Sequence, residues 1–251
     1  MQRDTRLATA FYELSDIHNR DFETAVYARL LAQHSVQLLD FDAAGLLLIQ
    51  KDGSLAETGA TTESVGRLQR LQLHLGDGPG VESAQTCDPV CGPDFRSESR
   101  WKPFRAAVLN AGFVAVHALP LQVNGEAIGS LSLYRRRVGP LDDGDQNLGE
   151  ALVHVATGCL LLKKSIEVSQ KLNSQLQAAL NSRVVIEQAK GILAERSRST
   201  LNNAFEAMRT FARRSERQLS DVANAVIDGC PSVSALANPH TTDQRTDYGR
   251  R

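Results

Sequence analysis

The stretch VAVHALPLQVNGEAIGSLSLYRR, Val114–Arg136, contains two mostly apolar runs joined by Asn124-Gly125. An Asn-Gly pair takes the positive φ that a two-residue hairpin turn demands, so the spacing predicts strands over Val114–Val123 and Ile128–Arg135. Alternation is partial: Ile128, Leu131 and Leu133 are the apolar positions of the second run. A hairpin of this kind is antiparallel by construction, and it sets the sheet type for what surrounds it.

Upstream, Ala43–Gln50 (AAGLLLIQ) reads as a buried strand. Lys51-Asp52-Gly53 then turns the chain into a second strand at Leu55–Thr61. Helices are expected at Leu7–Leu14 and at Phe22–Leu39, where Phe22, Val26, Leu30, Val36 and Leu39 recur near helical spacing and Asp21 is available as a cap. A further helix over Glu63–Leu73 is broken by Gly76-Asp77-Gly78-Pro79-Gly80, and a variable loop follows. Strands in hairpins with helices before, between and after them predict an α+β fold, an antiparallel sheet flanked by helices.

Downstream, one long helix is expected from Asp142, with Asp142, Asp143 and Asp145 at its N-terminus, where acids favour the helix dipole. Leu148, Leu152, Val155, Cys159, Leu162, Ile166, Ser169, Asn173, Leu176 and Leu180 alternate at four and three residues, a heptad seam. The first half of this seam would cover the sheet. Beyond Lys164 a second copy of the chain is the expected partner, in a coiled-coil homodimer. A buried Asn173 would fix register and a two-stranded state.

The helix leads into Arg183–Asp228, which reads as three short helices. Their apolar stripes are Val185, Ala189, Ile192 and Leu193; then Ala204, Phe205, Met208, Phe211 and Ala212; then Leu219, Val222, Ala223, Val226 and Ile227. Ser199 and Ser220 are placed to cap the second and third. Between Arg183 and Arg217 there are eight Arg and Lys against four Glu, a local net charge of +4 in a chain whose total is −1. A basic patch on an otherwise acidic protein is the footprint of a polyanion. Gly191 lies in mid-helix at a cost of roughly 1 kcal/mol relative to Ala. That placement suggests close helix packing or the close approach of a partner's backbone.

The chemistry of an enzyme is missing from the sequence: no nucleophile elbow, zinc-protease, Walker or dinucleotide pattern occurs. No catalytic residue, cofactor or metal is expected. Cys87-x-x-x-Cys91 with His74 or His117 is weak as a metal set, because isolated loop thiols are mostly inert. His34, His117 and His154 lie among apolar residues and read as satisfied core histidines. Phe95, Trp101, Phe104 and Phe113 are either core or the lining of a ligand pocket. No apolar run approaches the ~18 residues of a membrane span. The N-terminus lacks a signal-peptide pattern, so a cytoplasmic location away from membranes is expected.

Two resemblances sharpen this reading. Ala189-Lys190-Gly191-Ile192-Leu193, followed by Ala204-Phe205, Met208-Arg209 and Ala212, resembles the ANTAR domain, a three-helix RNA-binding module of bacterial antiterminators. The resemblance implies a dimer that holds a two-loop RNA hairpin in the terminator region. It makes Lys190 and Arg209 the first RNA contacts, and Arg213, Arg196 and Arg198 are further candidates from the charge pattern. Ala189, Gly191, Ala204, Phe205 and Ala212 would form the module's core. The region from about Thr5 to Leu162, with its DGPG turn, Arg100-Trp101-Lys102-Pro103-Phe104 and closing hairpin, is similar to the GAF domain, a sensing fold, here for an unknown small-molecule or protein signal.

The expected layout is a sensor at 1–162, a coiled-coil linker at 163–182, the RNA-binding domain at 183–230 and a disordered tail at 231–251. The expected function is signal-responsive transcription antitermination. The alternatives are a protein-interaction adaptor or a DNA-binding regulator using the same basic bundle.

Overall fold

The structure, a computed structural model, describes residues 2–16 and 23–236. The chain divides into two compact units, residues 1–166 and 167–251. The first is built on a five-stranded antiparallel sheet: β1 Ala43–Ile49, β2 Leu55–Ala60, β3 Val90–Gly92, β4 Ala115–Val123 and β5 Glu126–Arg135, in the order β2-β1-β5-β4-β3. The Asn-Gly hairpin is formed as the sequence predicts, with Val123 opposite Glu126 and both turn residues at positive φ (50° and 80°).

Strand alternation divides the side chains between two cores. Leu46, Leu48, Leu119, Leu121, Leu131 and Leu133 face one side of the sheet. They pack there against α1 (Gln2–Ser15), α2 (Thr24–Leu39) and the first turns of α6 (Asp143–Arg196), through Leu14, Leu31, Leu39, Leu152 and Ala156. Ala43, Val116, Ala118 and Tyr134 face the other side. They meet α3 (Glu63–Leu75) at Val65 and Leu68, and α5 (Lys102–Asn110) at Phe104 and Val108. Each fully buried Leu contributes roughly 1.5–3 kcal/mol, which makes this three-layer arrangement the main source of the unit's stability.

Two elements escape the sequence reading. The expected variable loop contains α4 (Pro79–Thr86), with Pro at its first turn, and the short edge strand β3. Periodicity cannot register pieces of eight and three residues. Asp21, the expected cap of α2, lies outside the described residues; the N-cap position is Glu23, which makes no side-chain cap. His34 bonds Glu13 at 2.9 Å, and His117 is buried, but His154 is exposed on α6 and is not a core residue.

The second unit takes its core from three helices and a final turn. Ala189, Leu193 and Ala194 of α6 meet Ala204, Met208 and Ala212 of α7 (Leu201–Arg214) and Val222, Ala223 and Val226 of α8 (Leu219–Ile227). The expected caps are displaced. Thr200, not Ser199, accepts from the Asn203 amide to cap α7, and α8 starts after Gln218 without a side-chain cap. The start of the presumed tail is ordered: Pro231–Leu236 forms a 3₁₀ turn that buries Val233 in this core. The rest of that tail lies outside the described residues.

Asp142 caps α6, its Oδ1 accepting from the Asp145 amide at 2.8 Å. In unit 1 the helix is an ordinary amphipathic cover. From Leu162 it exposes large apolar side chains: Leu162 and Ile166, then Val168, Leu172, Leu176, Leu180 and Val184. Among the described residues no helix is long and apolar enough to cross a membrane.

Candidate nucleic-acid interface

The basic residues of unit 2 fall into two groups. Lys190, near the end of α6, reaches across to α7, where its Nζ stands 5.5 Å from the centre of the Phe205 ring. Arg209 and Arg213 follow Phe205 on α7 at steps of four, so they continue the same ridge one and two turns on. Lys190, Phe205, Arg209 and Arg213 therefore line a single face. Arg209 and Arg213 are exposed, and Phe205 is half-buried. The sequence gives no hint that an aromatic ring belongs to the basic face, because Phe205 sits on the apolar stripe of α7. Its place beside Lys190 follows from how α6 and α7 cross.

Two of these cations are latched within their own helices. Lys190 donates to both carboxylate oxygens of Glu187 at 2.9 Å, and its side chain is only 16% exposed. Arg209 lies 3.5 Å from Glu206, both side chains being more than half exposed. An exposed i,i+3 pair such as Arg209–Glu206 contributes only a few tenths of a kcal/mol. No ion pair involves Arg213 among the described residues.

Arg196 and Arg198 belong elsewhere. Arg196 donates to the Val226 carbonyl at 3.2 Å, near the C-terminal end of α8, adding to the bond that carbonyl accepts from the Gly229 amide. Arg198 lies in the turn between α6 and α7 with φ of 46°, and its side chain is exposed. Neither extends the Lys190–Arg213 ridge. Of the expected module core, Ala189, Ala204 and Ala212 are buried, each at 6% exposure or less. Gly191 is exposed, and a Cβ there would meet nothing within 4 Å. Close packing within the chain is not the reason for this glycine.

In unit 1, Phe95, Trp101, Phe104 and Phe113 are all buried in the second core. Phe95 stacks on Trp101 at 5.9 Å and meets Phe104 edge-on at 6.1 Å, while Phe113 tilts against Tyr134 at 5.3 Å. The sequence reading missed a polar group on the same side of the sheet. Gln72 donates to Gln69 (2.8 Å) and to the Tyr134 hydroxyl (3.3 Å) and accepts from the Gly80 amide (2.8 Å). Ser130 donates to the Gly80 carbonyl at 2.7 Å. Burial pushes the Tyr134 phenol well above its usual range, so it stays neutral. Among the described residues no three His, Cys, Asp or Glu side chains, Cys87 and Cys91 included, are grouped so that they could hold a metal ion.

Comparison with known proteins agrees with both units. The GAF domain family matches residues 24–160, more than half the chain, and the ANTAR domain family matches residues 174–227. No curated protein was found to match the chain. Among solved structures, bacteriophytochrome RpBphP3 from R. palustris is similar at 14% identity and a TM-score of 0.53, over 82% of this chain and 46% of that one. This chain thus spans just under half the bacteriophytochrome's length. The GAF domain of a phosphoenolpyruvate-protein phosphotransferase from Coxiella burnetii is similar at 12% identity and a TM-score of 0.50, over 65% of this chain and 98% of that one. Free methionine-R-sulfoxide reductase from Neisseria meningitidis matches at 11% identity and a TM-score of 0.50, over 65% and 91%. At these identities the likeness concerns the fold alone.

Proposed function

We propose a function from the premise that this chain belongs to the GAF domain family and ends in an ANTAR domain: it is a signal-responsive antitermination regulator that holds a two-loop RNA hairpin as a homodimer in the cytoplasm. The observation that carries the reading is the ridge of Lys190, Phe205, Arg209 and Arg213 within the ANTAR match. Two cations one helical turn apart on α7, with Lys190 of α6 beside them, suit successive phosphates. A half-buried ring among them offers a surface on which an unpaired loop base can stack, as sequence-selective RNA binding requires. Arg198, in the adjacent turn, is a secondary contact; Arg196 acts through the bundle's stability.

Dimerisation rests on the apolar stripe of α6. Leu162, Ile166, Leu176 and Leu180 occupy alternating four- and three-residue steps and are 40–60% exposed in the single chain. A face of this kind is expected to be covered, and a second copy of the same helix matches its spacing. Two ridges in one dimer would read two loops of one hairpin.

The test is a gel-shift titration of a hairpin with two closely spaced loops across a salt series, comparing wild type with Lys190→Ala and Arg209→Ala. Tight binding is expected for wild type, with loss in both variants and a log–log salt slope shallower by about 0.7–0.9 for each phosphate contact removed. Equal, weak binding by all three proteins overturns the RNA reading and points to a protein partner. Preference for duplex DNA over the hairpin would favour a DNA-binding regulator.

A further inference from the structure

Cys91, on the edge strand β3, lies directly opposite His117 on β4. Its Sγ is 3.1 Å from His117 Nδ1, and His117 Nε2 is 3.2 Å from the carbonyl oxygen of Gly139. A carbonyl only accepts, so Nε2 carries the ring proton, Nδ1 presents a lone pair, and the thiol donates to it. A nucleophile, a base and a group that orients the base are thus in line. A cleft of about 80 Å³ opens beside them, walled by Val90, Leu119, Pro140, Leu141 and Gln146. A single water needs only roughly 10–15 Å³ of such space, so the cleft admits a molecule as small as hydrogen peroxide. Cys91 itself is exposed.

We propose that Cys91 is an oxidation site for hydrogen peroxide, with His117 as the general base. Nδ1 takes the thiol proton as the sulfur attacks one peroxide oxygen. The O–O bond breaks, and the leaving hydroxide collects a proton from the imidazolium and departs as water. The sulfur, oxidised by two electrons, is left as a sulfenic acid.

The electrostatics make the base indispensable. Partial enclosure pushes the Cys91 thiol above its usual range, and nearby Glu98 adds to this, while the Arg100 guanidinium pulls the other way. Burial, reinforced by Arg135 on β5, holds His117 down at about 4, against the hydrogen bond to Gly139. The α6 side of the cleft offers the neutral Gln146. At neutral pH the thiol is therefore protonated and the imidazole is free to accept.

The experiment treats the full-length protein with hydrogen peroxide, quenches with catalase and traps sulfenic acid at one fixed pH. Mass spectrometry then reads Cys91 and Cys87 in the same molecules. Cys87 is the internal control, a half-exposed thiol whose Sγ donates to the Gly125 carbonyl rather than to a histidine nitrogen, although Glu150 and His154 line the same cleft. Between about pH 5.5 and 8 the Cys91 rate is expected to stay flat and to exceed that of Cys87 at least about tenfold near pH 6, whereas a thiol that reacts only as its free thiolate speeds up about tenfold per pH unit. In His117→Gln, Cys91 is expected to fall below Cys87. Cys91 reacting no faster than Cys87, or following the same pH slope, overturns the proposal, as does a wild-type rate in a folded His117→Gln. If that variant does not fold, the comparison within wild type decides. The proposal rests on unit 1 alone, so its failure leaves the RNA reading untouched.

Discussion

Gly191 separates two demands that a helix residue normally meets together. Nothing lies within 4 Å of where its Cβ would be, so Gly191→Ala removes a helix cost without creating a clash. Urea unfolding of that variant should show unit 2 stabilised by about 0.8–1 kcal/mol. Gel shift should show weaker hairpin binding, because the methyl stands where an RNA backbone would come close beside Lys190. A stabilised protein that binds as well as wild type would remove the glycine from the interface. Glu187 offers the opposite test. Its carboxylate holds Lys190 Nζ at 2.9 Å through both oxygens. Glu187→Gln should free the ammonium and raise hairpin affinity severalfold at low salt, by about 1 kcal/mol or less. Reduced affinity would mean that the pair positions Lys190 rather than restrains it.

At the scale of the element, α6 meets three environments in sequence. Leu152, Ala156 and Leu160 are buried under the sheet, Leu162–Val184 carries an exposed apolar stripe, and Ala189 and Leu193 re-enter a core. Replacing Leu176 and Leu180, which are 55% and 60% exposed, with Asp should leave both folded units intact by circular dichroism. Sedimentation should then report a dimer for wild type and a monomer for the variant, and hairpin binding should weaken with it. A variant that remains dimeric would move the interface away from this stripe. The short elements follow a different logic. α4 and β3 carry little periodic signal, yet β3 supplies Cys91, and Gly80 of α4 accepts from Ser130 and donates to Gln72. Tertiary contacts hold both in place, so their local sequence says little about them.

For the whole molecule, the acid side of the stability curve should bear the mark of one histidine. His117 is 2% exposed and is held at about 4 from an ordinary value of 6.5. The unfolded chain therefore binds its proton first. The contribution of His117 is complete above pH 6.5 and is lost as pH falls from there towards 4, a change of about 3 kcal/mol. Urea unfolding across that window should show the decline, and His117→Gln should flatten it. A wild-type curve flat between those values would mean that the imidazole is solvated or charged in the folded protein. Glu98 and Asp94, both held at about 2 first of all by their hydrogen bonds with Arg100 and Arg96, give up their share only at lower pH.

The sequence by itself determined the antiparallel hairpin at Asn124-Gly125, the α+β class, the apolar stripe along α6 and the basic character of the C-terminal helices. Each is written in residues close together in the chain, where turn chemistry and side-chain period act directly. Only the tertiary structure decided that Phe205 joins the basic ridge, that Arg196 serves α8, that Phe95, Trp101 and Phe104 are core, and that Cys91 faces His117. Those pairs lie 15 to 30 residues apart or sit on different elements, and their meeting depends on helix crossing and strand register. Local sequence does not encode such geometry; it arises when the whole set of apolar faces is buried at once.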